Sequence, residues 1–257
     1  MRTLGFDLRG PGDAPVLVLS SSLGTTRELW RPQRRVLERH VRVLVYDHPG
    51  HGDSALPEVP TTVEALARPL RALLDELELG RVSICGLSLG GMVAVALALD
   101  APERVERLVL ACTSAHLPPP DAWLERARVV RAAGMEAVAD AVLERWFTPT
   151  FARENPHEVA RARALLVSTS PEGYARACEA IAAWDVRDRL HELTPPTLVV
   201  AGADDPATPP AHAELLAERI PGARLHVLER AAHLANVERA DSFTHAVLEH
   251  LEVGIPT

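Results

Sequence analysis

The chain contains no lysine: all 27 basic residues among its 257 are arginine. That absence excludes Schiff-base catalysis, attachment of pyridoxal phosphate and any phosphate loop that depends on a lysine. Cysteine is nearly as scarce. Cys85, Cys112 and Cys178 stand far apart, which suits neither a disulfide framework nor a zinc cluster. Each reads as a small buried apolar residue in a reduced, cytoplasmic protein. No stretch approaches about 18 uncharged apolar residues, so no membrane span is expected. Charges at Arg2, Asp7 and Arg9 occupy the place where a signal peptide would be apolar. The formal net charge of −8 leaves no basic footprint for nucleic acid. Apolar residues, by contrast, make up 47% of the chain, enough for one large core or a core with an inserted lid.

The most informative stretch is Val82-Ser83-Ile84-Cys85-Gly86-Leu87-Ser88-Leu89-Gly90-Gly91. A short apolar run ends in G-x-S-x-G, and an Ala/Val/Leu helix pattern follows from Met92 to Leu99. A nucleophile elbow needs that order: the serine sits on a strained turn between a strand and a helix. Gly86 and Gly90 let strand and helix approach closely. The helix N-terminus presents its free N–H groups where an oxyanion would form.

Around this stretch, strand and helix patterns alternate. Thr3 to Arg9 reads as an edge strand; Pro15 to Leu19 and Val41 to Tyr46 read as strands buried on both faces. Thr61 or Thr62 starts a helix to about Leu79, with Pro69 marking a kink or a break. Val105 to Ala111 is a further strand. The rhythm stops at Ser114; His116 to about Leu190 holds only helix patterns. Strands resume at Thr197–Ala201 and Arg224–Leu228, and a last helix spans about Val237 to Leu251. The expected fold is α/β, with a mostly parallel, doubly wound sheet and an inserted helical cap. Residues 1–114 and 191–257 form the core, and 115–190 form the cap.

A serine nucleophile needs a base, and the base an orienting carboxylate, in the chain order Ser, Asp or Glu, His. Asp204 and Asp205 follow one strand; His233 follows the last, among small and apolar neighbours. His233 is taken as the base. Of the two aspartates Asp205 is preferred, because Pro206 biases it to an extended backbone. His48 and His51 sit in a tight turn and are assigned a structural role; His40, His212, His245 and His250 are expected to be solvated. The oxyanion hole takes the Leu89 amide and one from the loop after the Pro15–Leu19 strand, at Leu23.

These residues resemble the α/β-hydrolases and, more narrowly, the 3-oxoadipate enol-lactonases of aromatic catabolism. The resemblance rests on Ser21-Ser22-Leu23-Gly24-Thr25 before Trp30 and on Asp-x-Pro-Gly-His-Gly-x-Ser at 47–54. Gly-Leu-Ser-Leu-Gly-Gly at 86–91 and Arg145-Trp146-Phe147-Thr148 add to it. The narrowest parts are Asp205-Pro206-Ala207-Thr208-Pro209-Pro210, Ile220-Pro221-Gly222-Ala223 and Ala231-Ala232-His233-Leu234-Ala235-Asn236. Ser21 stands where such proteins often carry Asn, and Ala235 where they often carry Ser; both departures are expected near the site. No fused carboxymuconolactone decarboxylase-like domain is expected.

The resemblance implies a cofactor-free, metal-free serine hydrolase that opens 3-oxoadipate enol-lactone, a small molecule, with no nucleic-acid or membrane partner; homo-oligomerisation is left open. The substrate carries a carboxylate that must find a donor as it is desolvated. Arg145 is the first candidate, with Trp146 packing on the ring; the plainer alternative is that Arg145 is one of many solvated arginines. Competing readings are a carboxylesterase or cofactor-free perhydrolase of the same fold, or a binding protein that has lost turnover. A haloalkane dehalogenase would need Asp at position 88.

Overall fold

The computed structural model describes residues 4–56 and 62–252. Thr3 and Thr61, offered above as the start of a strand and of a helix, lie outside them, as do the outermost residues of both core segments. Seven strands form one sheet: β1 (Phe6–Arg9), β2 (Val16–Ser20), β3 (Arg42–Tyr46), β4 (Val82–Leu87), β5 (Val105–Ala111), β6 (Thr197–Gly202) and β7 (Arg224–Leu228). Their spatial order is β1-β3-β2-β4-β5-β6-β7. Only β1, at the edge, is antiparallel to its neighbour. The central strands carry no polar alternation because helices cover both faces, and every residue of β4 and β6 is buried.

From β2 the chain steps outward to β3, then returns across β2 to β4. Helices therefore turn in opposite directions on the two sides of the β2–β4 pair, a topological switch point where α/β sheets form ligand crevices. Ser20 pairs with Gly86 at the carboxyl ends of those strands. The loop after β2 and the turn after β4 are thus side by side.

Three helices serve this half: α1 (Arg31–Leu37), α2 (Val63–Glu76) and α3 (Leu89–Asp100). The Thr62 hydroxyl caps α2 by accepting the Ala65 N–H at 3.2 Å. Pro69 lies within α2 without ending it. Burial of Val63, Leu66, Leu70, Leu73 and Leu74, at about 1.5–3 kcal/mol each, outweighs the roughly 3 kcal/mol that an interior proline costs. Residues 89–98 of α3 are all buried, so this helix has no solvent face.

Between β5 and β6 the described chain is helical: α4 (Pro120–Ala133), α5 (Glu136–Trp146), α6 (Pro149–Glu154), α7 (Pro156–Val167) and α8 (Pro171–Ala182). Its entry and exit are clasped together. Val186 N–H donates to Ala115 O at 3.0 Å, and the Trp184 indole donates to Ser114 O at 3.0 Å. An isolated bridge joins His116 to Asp185.

After β6 come α9 (Pro210–Arg219), β7, α10 (Ala235–Glu238) and α11 (Ala240–His250). The last helix is therefore two helices, not one. Arg239 leaves helical geometry (φ −124°, ψ 47°) as its guanidinium reaches back to the carbonyls of Glu229 and Arg230. Two histidines also depart from expectation. His250 is buried, with Nε2–H donated to Pro196 O at 3.2 Å, and burial lowers its pKa. His212 is half-buried against the Ser114 hydroxyl at 2.7 Å.

Candidate active site

The apolar strand β4 ends at Leu87, and α3 begins at Leu89, leaving Ser88 alone to reverse the chain. It does so at φ 56°, ψ −117°, a left-handed conformation that a side chain rarely adopts. Neighbouring bonds hold it there: Ser88 N–H donates to Ala111 O at 2.9 Å, and the Thr113 hydroxyl donates to Ser88 O at 2.7 Å. The two glycines of the pentapeptide are sterically required. A Cβ at Gly86 would lie 2.2 Å from Gly90 O, and one at Gly90 would lie 2.0 Å from Ser20 O.

The loops after β6 and β7 deliver the other two groups. His233 Nε2 is 2.9 Å from Ser88 Oγ, and His233 Nδ1 is 2.9 Å from Asp205 Oδ2. Because an ionised carboxylate only accepts, Nδ1 carries the proton and Nε2 faces the serine as an acceptor. All three side chains are buried. Asp205 is held from four directions. Oδ1 accepts the Ala207 and Thr208 amides at 2.8 and 3.0 Å, and Oδ2 accepts the Thr208 hydroxyl at 2.7 Å beside His233. Burial alone would raise its pKa; the His233 charge and these hydrogen bonds outweigh that and hold it below the ordinary carboxylate range. Asp204 is exposed and takes no part.

The amides expected at the oxyanion hole lie at the same crevice. Leu89 is the first residue of α3, so its N–H has no acceptor within the helix. Among the described residues the Leu23 amide donates to no protein acceptor. Ser22, Leu23, Ser88 and His233 together floor a cavity of about 240 Å³. Ser21 and Ala235, expected near the site, do not line it. The Ser21 hydroxyl instead closes its own loop, accepting the Trp30 indole N–H at 3.1 Å.

The helical segment roofs the cavity with Trp123, Arg126, Arg145, Trp146 and Tyr174. Arg145 and Trp146 are where the sequence placed them; Arg126 is a residue that the sequence reading passes over. Its signal was its spacing, one helical turn after Trp123 on α4. The Arg126 guanidinium lies 4.6 Å from the Trp123 ring centroid, a cation–π contact. Among the described residues neither Arg126 nor Arg145 forms an ion pair with a carboxylate. Burial, and then the like charge of Arg126, lowers the pKa of Arg145. Two cations without carboxylate partners among the described residues thus stand on an apolar, aromatic wall.

Thr208 and the histidines at 48 and 51 also belong to the site's support, the former through Asp205 and the latter through the Leu23 loop. Cys85, Cys112 and Cys178 are free and buried, and burial raises the pKa of each. Among the described residues no group of three or more His, Cys, Asp or Glu side chains could hold a metal ion. Nor is any helix among them long and apolar enough to cross a membrane.

Comparison with known proteins agrees with this architecture. The family model for the alpha/beta hydrolase fold matches residues 14–240. The chain is 39% identical to 3-oxoadipate enol-lactonase 2 of Acinetobacter baylyi, over 95% of this chain and 91% of that one. It is 31% identical to a putative carbamate hydrolase, RutD, of Azorhizobium caulinodans, over 95% and 93%. The crystal structure of the enol-lactonase from Burkholderia xenovorans superposes with a TM-score of 0.94 at 44% identity, covering 96% of each chain. With its single, mostly parallel sheet and the serine at its central turn, the chain belongs to the α/β-hydrolase family.

Proposed function

We propose that the protein opens 3-oxoadipate enol-lactone to 3-oxoadipate by acyl-enzyme catalysis, with Ser88 as nucleophile, His233 as general base and Asp205 as its orienting acid. The observation that carries the substrate choice is the Arg126–Arg145 pair facing Ser88 across an aromatic cavity. A neutral ester gives those cations nothing to bind; a lactone with a side-chain carboxylate does. Relatives named as enol-lactonases support the same choice. In this reading residues 115–190 are a cap that supplies the anion-binding wall, and the enzyme is a cytoplasmic protein of aromatic catabolism.

Ser88 Oγ attacks the lactone carbonyl carbon while its proton passes to His233 Nε2. Asp205 stabilises the imidazolium and keeps its ring in register. The carbonyl oxygen becomes an oxyanion and accepts the Leu23 and Leu89 amides, and such stabilisation is commonly the main source of rate enhancement in acyl transfer. Collapse breaks the ring C–O bond, and the enolate oxygen leaves with the proton from His233 as an enol that relaxes to the ketone. Water then gives a proton to His233 as it attacks the acyl-enzyme; collapse breaks the acyl C–Oγ bond, Ser88 Oγ takes that proton back from His233, and the acid is released as its carboxylate.

The test is ultraviolet-monitored loss of enol-lactone by purified protein, beside a panel of simple esters and carbamates. Saturable lactone turnover that exceeds ester turnover is the expected result. Ester or carbamate cleavage without lactone turnover would leave a hydrolase of another specificity. No labelling of Ser88 by a fluorophosphonate would point to a non-catalytic binding protein.

A further inference from the structure

The base does not stand on its own loop alone. The chain after His233 makes one helical turn, α10, that ends in Glu238, a carboxylate buried away from solvent. A buried carboxylate must be met by donors, and three reach it. Oε1 accepts the Ala232 amide at 3.0 Å and the Thr148 amide at 2.9 Å. Oε2 accepts the Thr148 hydroxyl at 2.8 Å. On the other side of the histidine, the Leu234 amide donates to Trp146 O at 2.9 Å.

The two peptide N–H groups that flank His233 are therefore both tied to one stretch, Trp146 to Thr148, of the helical segment. That stretch is the hinge between α5 and α6. Phe147 is extended (φ −130°, ψ 144°), and the Thr148 hydroxyl that donates to Glu238 also accepts the Phe151 amide to cap α6. Trp146 and its neighbour Arg145 face the cavity. Glu238 touches neither Ser88 nor the cavity, yet it connects the substrate-binding wall to the base.

We propose that Glu238 is a positioning residue that locks the 146–148 hinge to the His233 loop, so that pocket wall and catalytic base are set as one unit. The proposal rests on the serine-hydrolase reading of the site, though not on the identity of the lactone. Its carboxylate acts by accepting two amides at a single oxygen rather than by its charge. A glutamine at 238 preserves that acceptor, whereas an alanine strands both amides.

The experiment compares Glu238→Ala and Glu238→Gln with wild type, using p-nitrophenyl acetate turnover and the rate of fluorophosphonate labelling. Amide hydrogen exchange is followed in peptides covering 145–149 and 231–235. Displacing a reacting group by about 1 Å can cost roughly 100-fold, so Glu238→Ala should lose about 10- to 100-fold in kcat. Its labelling rate should fall in parallel, and its kcat/KM–pH profile should change on the limb set by His233. Glu238→Gln should recover to within about 3-fold of wild type and keep the wild-type profile. Exchange should rise in both peptides together in the alanine variant and in neither for glutamine. Equal loss in the two variants would mean that charge, not positioning, is what matters, and overturn the proposal. So would full activity in Glu238→Ala, or exchange that rises in only one peptide. If the wild type is inert to the probe, the hydrolase reading fails, while the exchange data still decide whether Glu238 joins the two segments. If the alanine variant does not fold, Glu238→Leu and Thr148→Val take its place, with the same paired exchange expected.

Discussion

His51 accepts the backbone N–H of Gly24 through Nε2 at 3.1 Å, immediately after Leu23, whose own amide meets no protein acceptor among the described residues. On the other side of Leu23, Ser21 O lies 2.8 Å from His48 Nε2. A carbonyl only accepts, so His48 carries its proton on Nε2; His51, receiving an N–H there, carries its proton on Nδ1, toward Pro49 O. Two neighbouring histidines thus hold opposite tautomers and fasten both shoulders of one loop. Gly24 turns that loop at φ +74°, and a Cβ there would lie 2.6 Å from Leu166. His48 and His51 take the structural role their tight turn suggested, and what they brace is the loop that carries Leu23.

Removing the acceptor at 51 should therefore be felt in kcat. His51→Leu is expected to lose about 10-fold or more in kcat, below the roughly 10²–10³ of deleting an oxyanion donor outright, with KM little changed. His51→Gln, which can still accept from Gly24, should recover most of it. Steady-state kinetics on a nitrophenyl ester check the split; a rise in KM with unchanged kcat would dissociate His51 from the oxyanion loop.

The same two histidines make stability pH-dependent. Burial, aided for His48 by the nearby His51, pushes their pKa values down to about 3 and about 4, from an ordinary 6.5. Both are neutral when folded. Below pH 6.5 the unfolded chain binds protons that the folded chain refuses, so stability is complete above that value and falls as pH drops toward 4. The loss at pH 5 is on the order of a few kcal/mol for the two together. Urea unfolding at pH 7.5, 6 and 5 should show it, and His51→Gln should remove about one proton from the slope. A flat profile in the wild type would contradict the buried neutral state.

Replacing Asp205 by Asn should lower kcat by roughly 10⁴, because the amide donates to Nδ1 and drives His233 into the wrong tautomer. Asp204→Asn, on an exposed carboxylate, should leave kcat within about twofold, as surface substitutions usually do. Ser88→Ala should remove fluorophosphonate labelling and at least about 10⁴ of the rate. Thermal unfolding of the Ser88 variant should remain cooperative, since its hydroxyl bonds only the His233 ring and alanine keeps the backbone contacts of the turn.

The grouping of Ser88, Asp205 and His233 was legible because each sits where a local pattern ends: an apolar run stops, a small-residue loop begins, and the chain order Ser, Asp, His follows. The alternation of strand and helix was legible for the same reason. Pairings made at long range were not. Glu238 lies 90 residues from Thr148 and looked like any helical glutamate until the fold brought them together. His250 looked solvated because its helix is amphipathic, yet the carboxyl end of α11 turns it onto Pro196 O. Arg126 was one arginine among 27; only the fold shows that it and Arg145 share a wall. Pro69 would have ended an isolated helix and does not end one whose apolar face is packed.

The Arg126–Arg145 pair yields the last prediction, about which substrate the pocket accepts. Two half-buried guanidinium groups without carboxylate partners repel each other, and the lowered pKa of Arg145 reflects both its burial and its neighbour. A bound carboxylate relieves that repulsion, so anionic substrates should gain where neutral ones do not. The protein's own charge of −8 supplies no long-range attraction to do the same work. A charged hydrogen bond contributes about 1.5–3 kcal/mol, so Arg145→Ala and Arg126→Ala should each raise KM for the enol-lactone roughly 10- to 100-fold. Hydrolysis of a neutral nitrophenyl ester should be nearly unchanged in both. The double variant should lose less than the product of the two single effects, because the second arginine is no longer opposed once the first is gone. Equal loss on both substrates would indicate a disturbed helical segment, and no loss on either would remove the pair from substrate recognition. Arg145→Lys separates charge from shape: a lysine keeps the cation but not the planar fork, so an intermediate KM would show that the carboxylate is held by two parallel hydrogen bonds.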